Sequence, residues 1–435
     1  MNGSRTFSIT TLGCKLNQYE SECIRQDLLR RNWEYRSFGE KAEFCIINTC
    51  TVTGKTDARC RNAVRRARRS SPDATIIVTG CYAETQPGSI EAMEEADMVV
   101  GNSGKDSIPS IMDDISRGKT PDGSSGRPGE GQVQIDEFLD HSRAFIKIQE
   151  GCDSSCSYCI IPLARGGSRS VEPGLVLDQV KRLERNGIEE LVLTGIHIGR
   201  YGRDIGGGIG LDDLLEMLLE NTREMRFRLS SIEMNEVTGR MIGTIGSTHR
   251  LAPHLHIPLQ SGDDSMLEAM KRPYDGAAFS EKVMEVHDGI ESVSIGTDVI
   301  VGFPGETEEA FENTRNLIDS LPLTYLHVFS FSRRPGTCAF DMPDQIDPGT
   351  KKSRSRKLIR LGRRKKRRFM ISRTGKTEYA LIQGRPRRYS RFVNALTGTY
   401  CEVSVDCDES LSGSLRPVTI THYSRGRLYG RLADE

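Results

Sequence analysis

The nine-residue stretch Gly151-Cys152-Asp153-Ser154-Ser155-Cys156-Ser157-Tyr158-Cys159 presents three thiols in a CxxxCxxC spacing. Three thiolates hold a four-iron cube and leave one iron without a protein ligand, and an open iron is a place to bind and cleave a small molecule. A zinc site is the alternative, but structural zinc wants four ligands and usually pairs them as CxxC. A second set, Cys14, Cys50 and Cys81, has no local motif. Each member instead follows a strand-like run: Thr11-Leu12-Gly13-Cys14, Ile47-Asn48-Thr49-Cys50 and Val78-Thr79-Gly80-Cys81. In a parallel sheet all three thiols emerge at the carboxyl edge, where open α/β sheets place their ligands. For any one of them alone, a buried unreactive thiol near a turn is the plainer reading.

The elements that must position these residues alternate. Strand-like runs at 6–11, 43–48, 75–79 and 98–100 are interleaved with helical stretches at 20–31 and 56–69, which predicts a small parallel α/β sheet over residues 1–117. Residues 118–131 read GKTPDGSSGRPGEG, too rich in glycine, proline and serine for helix or strand, so a linker is expected over 118–137. Six further strand candidates follow, at 144–149, 191–194, 227–231, 254–257, 293–301 and 325–329. Helices between them at 175–186, 211–220 and 306–320 predict a partial (β/α)6 barrel over 138–370. In such barrels active sites lie at the carboxyl ends of strands, and the Cys152 loop directly follows the first. Five short strands in 371–435 predict a small β-barrel of a kind that often grips nucleic acid. The fold class is therefore α/β with an appended β-barrel.

The chain has 435 residues and 36% hydrophobic content, which suits a globular protein of two or three domains. No signal-peptide pattern opens it, and no apolar run approaches the roughly 18 residues needed to span a bilayer, so a cytoplasmic protein with no membrane partner is expected. In a reducing compartment the 12 cysteines are better read as ligands or ordinary thiols than as a disulfide framework. Formal net charge is zero, yet residues 351–376 hold fourteen Lys or Arg and no acid. A further basic run, Arg59 to Arg69, carries six arginines. Alone, such runs read as solvated helix faces; beside a small β-barrel they suit phosphate neutralisation, with Tyr389, Phe392, Tyr400 and Tyr423 as either stacking platforms or core residues.

On these motifs the chain resembles the radical S-adenosylmethionine methylthiotransferases. EGCDSSCSYCIIPLARG is similar to their radical signature, TLGCKLNQYESE, INTCTVT and VTGCYA to the cysteine motifs of their N-terminal domain, and the C-terminal barrel to the TRAM module. Leu12 to Glu20 together with Leu193-Thr194-Gly195-Ile196-His197-Ile198-Gly199 most resemble the subgroup acting on N6-threonylcarbamoyladenosine at position 37 of tRNA, next to the anticodon. The resemblance implies two [4Fe-4S] clusters, one on Cys152, Cys156 and Cys159 that cleaves S-adenosylmethionine to a radical, and one on Cys14, Cys50 and Cys81 that carries the inserted sulfur. It implies S-adenosylmethionine contacts from Tyr158, Thr194, Gly195, His197, Ser231, Glu233, His256, Gln260 and Asp298. No side chain is assigned as catalytic, because the radical belongs to the cofactor. A tRNA anticodon loop and an electron donor of flavodoxin or ferredoxin type are the implied partners. Gly167 stands where the family pattern has arginine, leaving Arg165 and Arg169 as candidate contacts to an anionic ligand. Rival readings are methylthiolation of isopentenyladenosine or of a ribosomal-protein aspartate, and, outside enzymes, a zinc-stabilised RNA-binding protein.

Overall fold

The computed structural model describes residues 5–120, 135, 136, 138, 143–384 and 391–433. Most of the expected linker, residues 121–134, and Tyr389 lie outside the described residues.

Strands β1 (Thr6–Thr11), β2 (Glu34–Tyr35), β3 (Phe44–Thr49), β4 (Thr75–Gly80) and β5 (Met98–Val100) form one parallel sheet in the order β2-β1-β3-β4-β5. Every residue of β3 is buried, as befits a central parallel strand covered on both faces. Helix α1 (Lys15–Arg30) starts at Cys14, its N-cap, and α2 (Gly54–Ser70) is capped by Thr53, whose hydroxyl accepts from the Thr56 amide. Cys14 makes no such capping bond, so its thiol is not committed to the helix end.

The central strands are β6 (Ala144–Lys147), β9 (Glu190–Thr194), β10 (Arg226–Leu229), β11 (His254–His256), β12 (Ser294–Val301) and β13 (Tyr325–Ser330), with β7 (Gln149–Glu150) pairing β8 (Arg169–Ser170) beside the first. All six are parallel, in two three-stranded sets, β10-β9-β6 and β11-β12-β13. Isolated bridges Phe227 to Leu251 and Ser231 to His256 join the sets, giving an open, partial barrel. The six expected strands therefore exist, with a seam in the middle where pairing thins to single bridges. Tyr19 and Cys23 of α1 belong to the same buried cluster as Phe145, Leu191 and Phe227, so the first unit and the barrel share a core.

A 25-residue helix, Pro348–Ser372, carries most of the basic run along β13. It leads into β14 (Thr377–Gly384), β15 (Val393–Thr397), β16 (Glu402–Val405), β17 (Leu415–Ser424) and β18 (Arg427–Leu432), a closed barrel in the order β14-β15-β16-β18-β17. Ala380, Ile382, Val393, Val403, Val418 and Ile420 fill it. No described helix is long and apolar enough to cross a membrane.

Candidate active site

Cys14, Cys50 and Cys81 follow β1, β3 and β4 and so leave the sheet at one edge, because the three strands are parallel and in register. Two glycines make the approach possible. Gly13 has φ +111°, and a Cβ there would lie 2.9 Å from Cys50 Sγ; Gly80 has φ +98°, and a Cβ there would lie 2.3 Å from the Thr49 carbonyl. Neither position tolerates a side chain. Asn17 donates to the carbonyls of Leu12 (2.8 Å) and Thr49 (3.0 Å), pinning the Cys14 loop to the Cys50 loop. Cys14 is exposed, yet desolvation by the surrounding protein raises its thiol pKa; burial likewise pushes Cys50 up to about 12. Thiols so placed stay protonated unless a metal takes the thiolate.

The second trio is held by its own loop. A Cβ on Gly151, at φ +73°, would sit 1.9 Å from the Gly167 carbonyl, so the CxxxCxxC turn folds back on the 166–167 segment only through glycine. Cationic or N–H donors converge on its sulfurs: His197 Nδ1 is 3.3 Å from Cys152, the Ser154 amide donates to the same sulfur at 3.4 Å, and Arg272 Nη1 donates to Cys156 at 3.2 Å. Burial disfavours the Cys152 thiolate, but the His197 and Ser154 bonds outweigh it and lower the pKa. Burial, with the neighbouring Cys156 and Cys152, raises Cys159 to about 12. Donors aimed at thiolate sulfur are what an anionic iron–sulfur cluster needs from its surroundings, and the residues present fit such a group.

Among the described residues, His256, Asp298 and His327 are the one set of three such ligands whose donor atoms all lie within 4.8 Å. Neither cysteine trio is drawn that tightly. Tetrahedral zinc thiolates, with Zn–S of about 2.3 Å, need sulfurs about 3.8 Å apart.

Arg165, on the short helix just past the second trio, joins the two. Its Nε donates to Cys81 Sγ at 3.3 Å, Nη2 to Asn17 Oδ1 at 2.5 Å, and Nη1 to Glu150 Oε1 at 3.0 Å and to Glu20. Lys105 also holds Glu20, and although burial opposes ionisation, Lys105 and Arg165 keep that carboxyl well below the usual range. The sequence expectation that Arg165 contacts an anionic ligand is corrected here: its guanidinium is buried and committed to protein partners. Arg169 is exposed.

The remaining expected contacts fall in two groups around the loop. Tyr158, Gln260 and Asp298 line a cavity of about 180 Å³ together with Cys159 and, from the first unit, Val52 and Thr53, just past Cys50. Cys159 of the second trio and the loop that follows Cys50 therefore face the same space. His197 and Glu233 line a second cavity of about 230 Å³ with Cys156 and Arg272. His197 Nε2 also meets Glu236 at 2.9 Å; burial opposes its charge, but Cys152 and Glu236 raise its pKa to about 9. Glu233 is ion-paired to Arg272. Thr194 is buried at the end of β9, and a Cβ on Gly195 would lie 2.8 Å from the Gln149 carbonyl. Ser231 is exposed. His256 is tied to Asp298 (2.8 Å) and the Tyr325 hydroxyl (3.1 Å) and does not itself line the cavity. Arg272, Glu236 and Gln149, whose Oε1 accepts from the His197 amide at 2.8 Å, carried no sequence signal: each lies in an ordinary polar stretch far along the chain from its partner.

A family model described as the Radical SAM superfamily matches residues 146–318, and one described as Uncharacterized protein family UPF0004 matches residues 6–101. The chain is 39% identical over 82% of its length to the threonylcarbamoyladenosine tRNA methylthiotransferase of Bacillus subtilis, covering 80% of that protein. It is 37% identical to the enzyme of that name from Aquifex aeolicus, over 86% of this chain and 91% of the relative. The chain belongs to the tRNA methylthiotransferase family.

As a family member it is a radical S-adenosylmethionine enzyme that uses iron–sulfur clusters and S-adenosylmethionine to methylthiolate tRNA. The tRNA-2-methylthio-N(6)-dimethylallyladenosine synthase of Finegoldia magna is more distant, 29% identical over 99% of this chain and 95% of its own. Among solved structures, the radical S-adenosylmethionine methyltransferase TsrM of Kitasatospora setae shares the fold at a TM-score of 0.56 and 15% identity, covering 78% of this chain and 77% of that one. The non-enzymatic zinc reading is set aside.

Proposed function

We propose that this methylthiotransferase acts on N6-threonylcarbamoyladenosine at position 37 of tRNA and converts it to the 2-methylthio derivative. The observation that carries the reading is the cavity bordered by Val52 and Thr53 on one side and Tyr158 and Cys159 on the other, with Arg165 tying Cys81 to the loop of the second trio. One space is lined by a cysteine of the second set and by the loop that follows Cys50, an arrangement that suits insertion of sulfur into a carbon activated by a radical. Two relatives named for this substrate align over 82% and 86% of the chain.

In this reading Cys152, Cys156 and Cys159 hold one [4Fe-4S] cluster and Cys14, Cys50 and Cys81 the other. Bound there, the clusters and S-adenosylmethionine supply the electron, the radical and the transferred sulfur and methyl. The protein's own residues do the rest. His197 and Arg272 neutralise charge on the Cys152 and Cys156 sulfurs. Tyr158, Gln260 and Asp298 line the cavity beside Cys159. Arg165 fixes the distance between the sets. Thr194, Gly195, Ser231, Glu233 and His256 remain proposed S-adenosylmethionine neighbours by position at strand ends. A division into residues 1–117, 138–370 and 371–435, a cytoplasmic location, and a flavodoxin- or ferredoxin-type electron donor belong to the same reading. Mass spectrometry of tRNA nucleosides from a strain lacking the gene is expected to show the threonylcarbamoyl nucleoside without its methylthio form. Persistence of the methylthio form refutes the reading.

A further inference from the structure

A charged donor reaches the first set of cysteines from the other unit. The helix Ile161–Arg165 follows Cys159 closely, and its last residue sends Nε–H to Cys81 Sγ at 3.3 Å. That guanidinium is wholly buried and held at both outer nitrogens, Nη1 by Glu20 and Glu150, Nη2 by Asn17 and Glu20. A guanidinium is planar, so fixing both ends fixes where Nε–H points. Asn102 clasps the same helix, donating to the Ala164 carbonyl at 2.5 Å, with its Nδ2 4.0 Å from Cys81 Sγ. The other two thiols are treated differently. Cys14 Sγ faces an acceptor, Asn17 Oδ1, at 3.9 Å, and among the described residues no charged side chain hydrogen-bonds to the sulfur of Cys14 or Cys50.

A charge-assisted hydrogen bond to a cluster thiolate favours the reduced cluster, because the bond strengthens as the sulfur gains negative charge. Such bonds are among the levers that set an iron–sulfur potential. The chemistry has a use for that bias. Once the target carbon has lost its hydrogen atom to the radical, it brings one electron to a sulfide or methylsulfide that brings two, and the new C–S bond holds two. The iron–sulfur bond to the transferred group breaks, and the third electron stays on the cluster that carried it. Carbon is oxidised and that cluster is reduced by one electron.

We propose that Arg165 raises the reduction potential of the first cluster through its bond to Cys81, so that this cluster accepts the electron left over when sulfur joins the target carbon. The inference rests on the two-cluster reading above. Arg165 acts through Cys81 and is a positioning residue, and because it belongs to the second unit the first cluster gains this donor only where the two units meet.

The test uses the full chain with Cys152, Cys156 and Cys159 replaced by alanine, reconstituted anaerobically so that about four irons load on the first set, and an EPR-monitored redox titration. Arg165→Lys in this background keeps a cation for Glu20 but removes the Nε–H beside the sulfur. One-electron reduction is expected to become about tenfold less favourable, a midpoint lower by about 59 mV, with iron content unchanged. In the converse background, with Cys14, Cys50 and Cys81 replaced by alanine, Arg165→Lys is expected to leave the midpoint of the second cluster where it was. An unchanged midpoint for the first cluster overturns the proposal, and so does an equal shift in both clusters, which marks a general change in packing. If Arg165→Lys prevents iron loading that its parent achieves, the arginine serves cluster assembly and the proposal is likewise overturned. A parent chain that binds no iron on the first set overturns the two-cluster reading itself.

Discussion

At the scale of single residues, the site depends on side chains that act on sulfur or on glycines that permit close approach. Gly80→Ala places a methyl group against the Thr49 carbonyl at a positive φ, and both effects act on the strand end that delivers Cys81. The expected result is loss of the first cluster alone, so that reconstituted protein carries about four irons instead of about eight, read by iron and sulfide analysis. Arg165→Met removes a fully buried cation from Glu20. Stability should fall by about 3–5 kcal/mol, seen as a lower midpoint in denaturant, because Glu20 is left buried with Lys105 as its remaining partner. The six cysteines proposed as ligands are legible in the sequence, since motif spacing and strand-end position are local facts. Arg165 stands out there as a conspicuous arginine, but its role does not: its partners Glu20 and Cys81 lie more than 80 residues away, and nothing local records the pairing.

At the scale of elements, the junction between β11 and the C-terminal barrel carries a pH dependence. His254 stacks on Tyr400 with ring centroids 4.3 Å apart and bonds the Tyr325 hydroxyl at 2.8 Å. Burial first, then Arg228, His256, Lys15 and Arg143, hold its pKa well below 6.5. The folded protein therefore keeps His254 neutral while the unfolded chain takes up the proton near pH 6.5. Its contribution to stability is complete above that pH and is lost as the pH falls below it, at up to about 1.4 kcal/mol per pH unit. His254→Gln is expected to flatten this part of the stability profile between pH 6.5 and 5, measured by denaturant titration against wild type. Element identity followed from alternation and helix periodicity. The seam between the two three-stranded sets did not, because it depends on which strand ends the twist brings within bonding distance.

At the scale of the whole molecule, the basic helix Pro348–Ser372 is one piece with two roles. Lys365 turns inward, donating to the carbonyls of Asp319 (3.0 Å) and Leu321 (2.7 Å), whereas Arg363 and Lys366 face solvent. Replacing both exposed residues with glutamine should leave thermal stability unchanged and reduce the slope of log affinity for tRNA against log salt by about 1–2, checked by filter binding across salt concentrations. If the slope stays the same, this face of the helix does not meet RNA.

By itself the amino-acid sequence determined the ligand types, the strand ends that carry them, the order of sheet, barrel and β-barrel, and the concentration of charge at 351–376. These are properties of neighbouring residues, and short-range propensity and spacing encode them. Only tertiary packing decided that Arg165 would bridge the two cysteine sets, that Arg272 would face Cys156, and that Arg143, Arg226 and Arg228 would meet around a single buried carboxylate, Glu190. Those encounters join residues brought together by a shared core, and which buried charges meet becomes visible only once that core has closed.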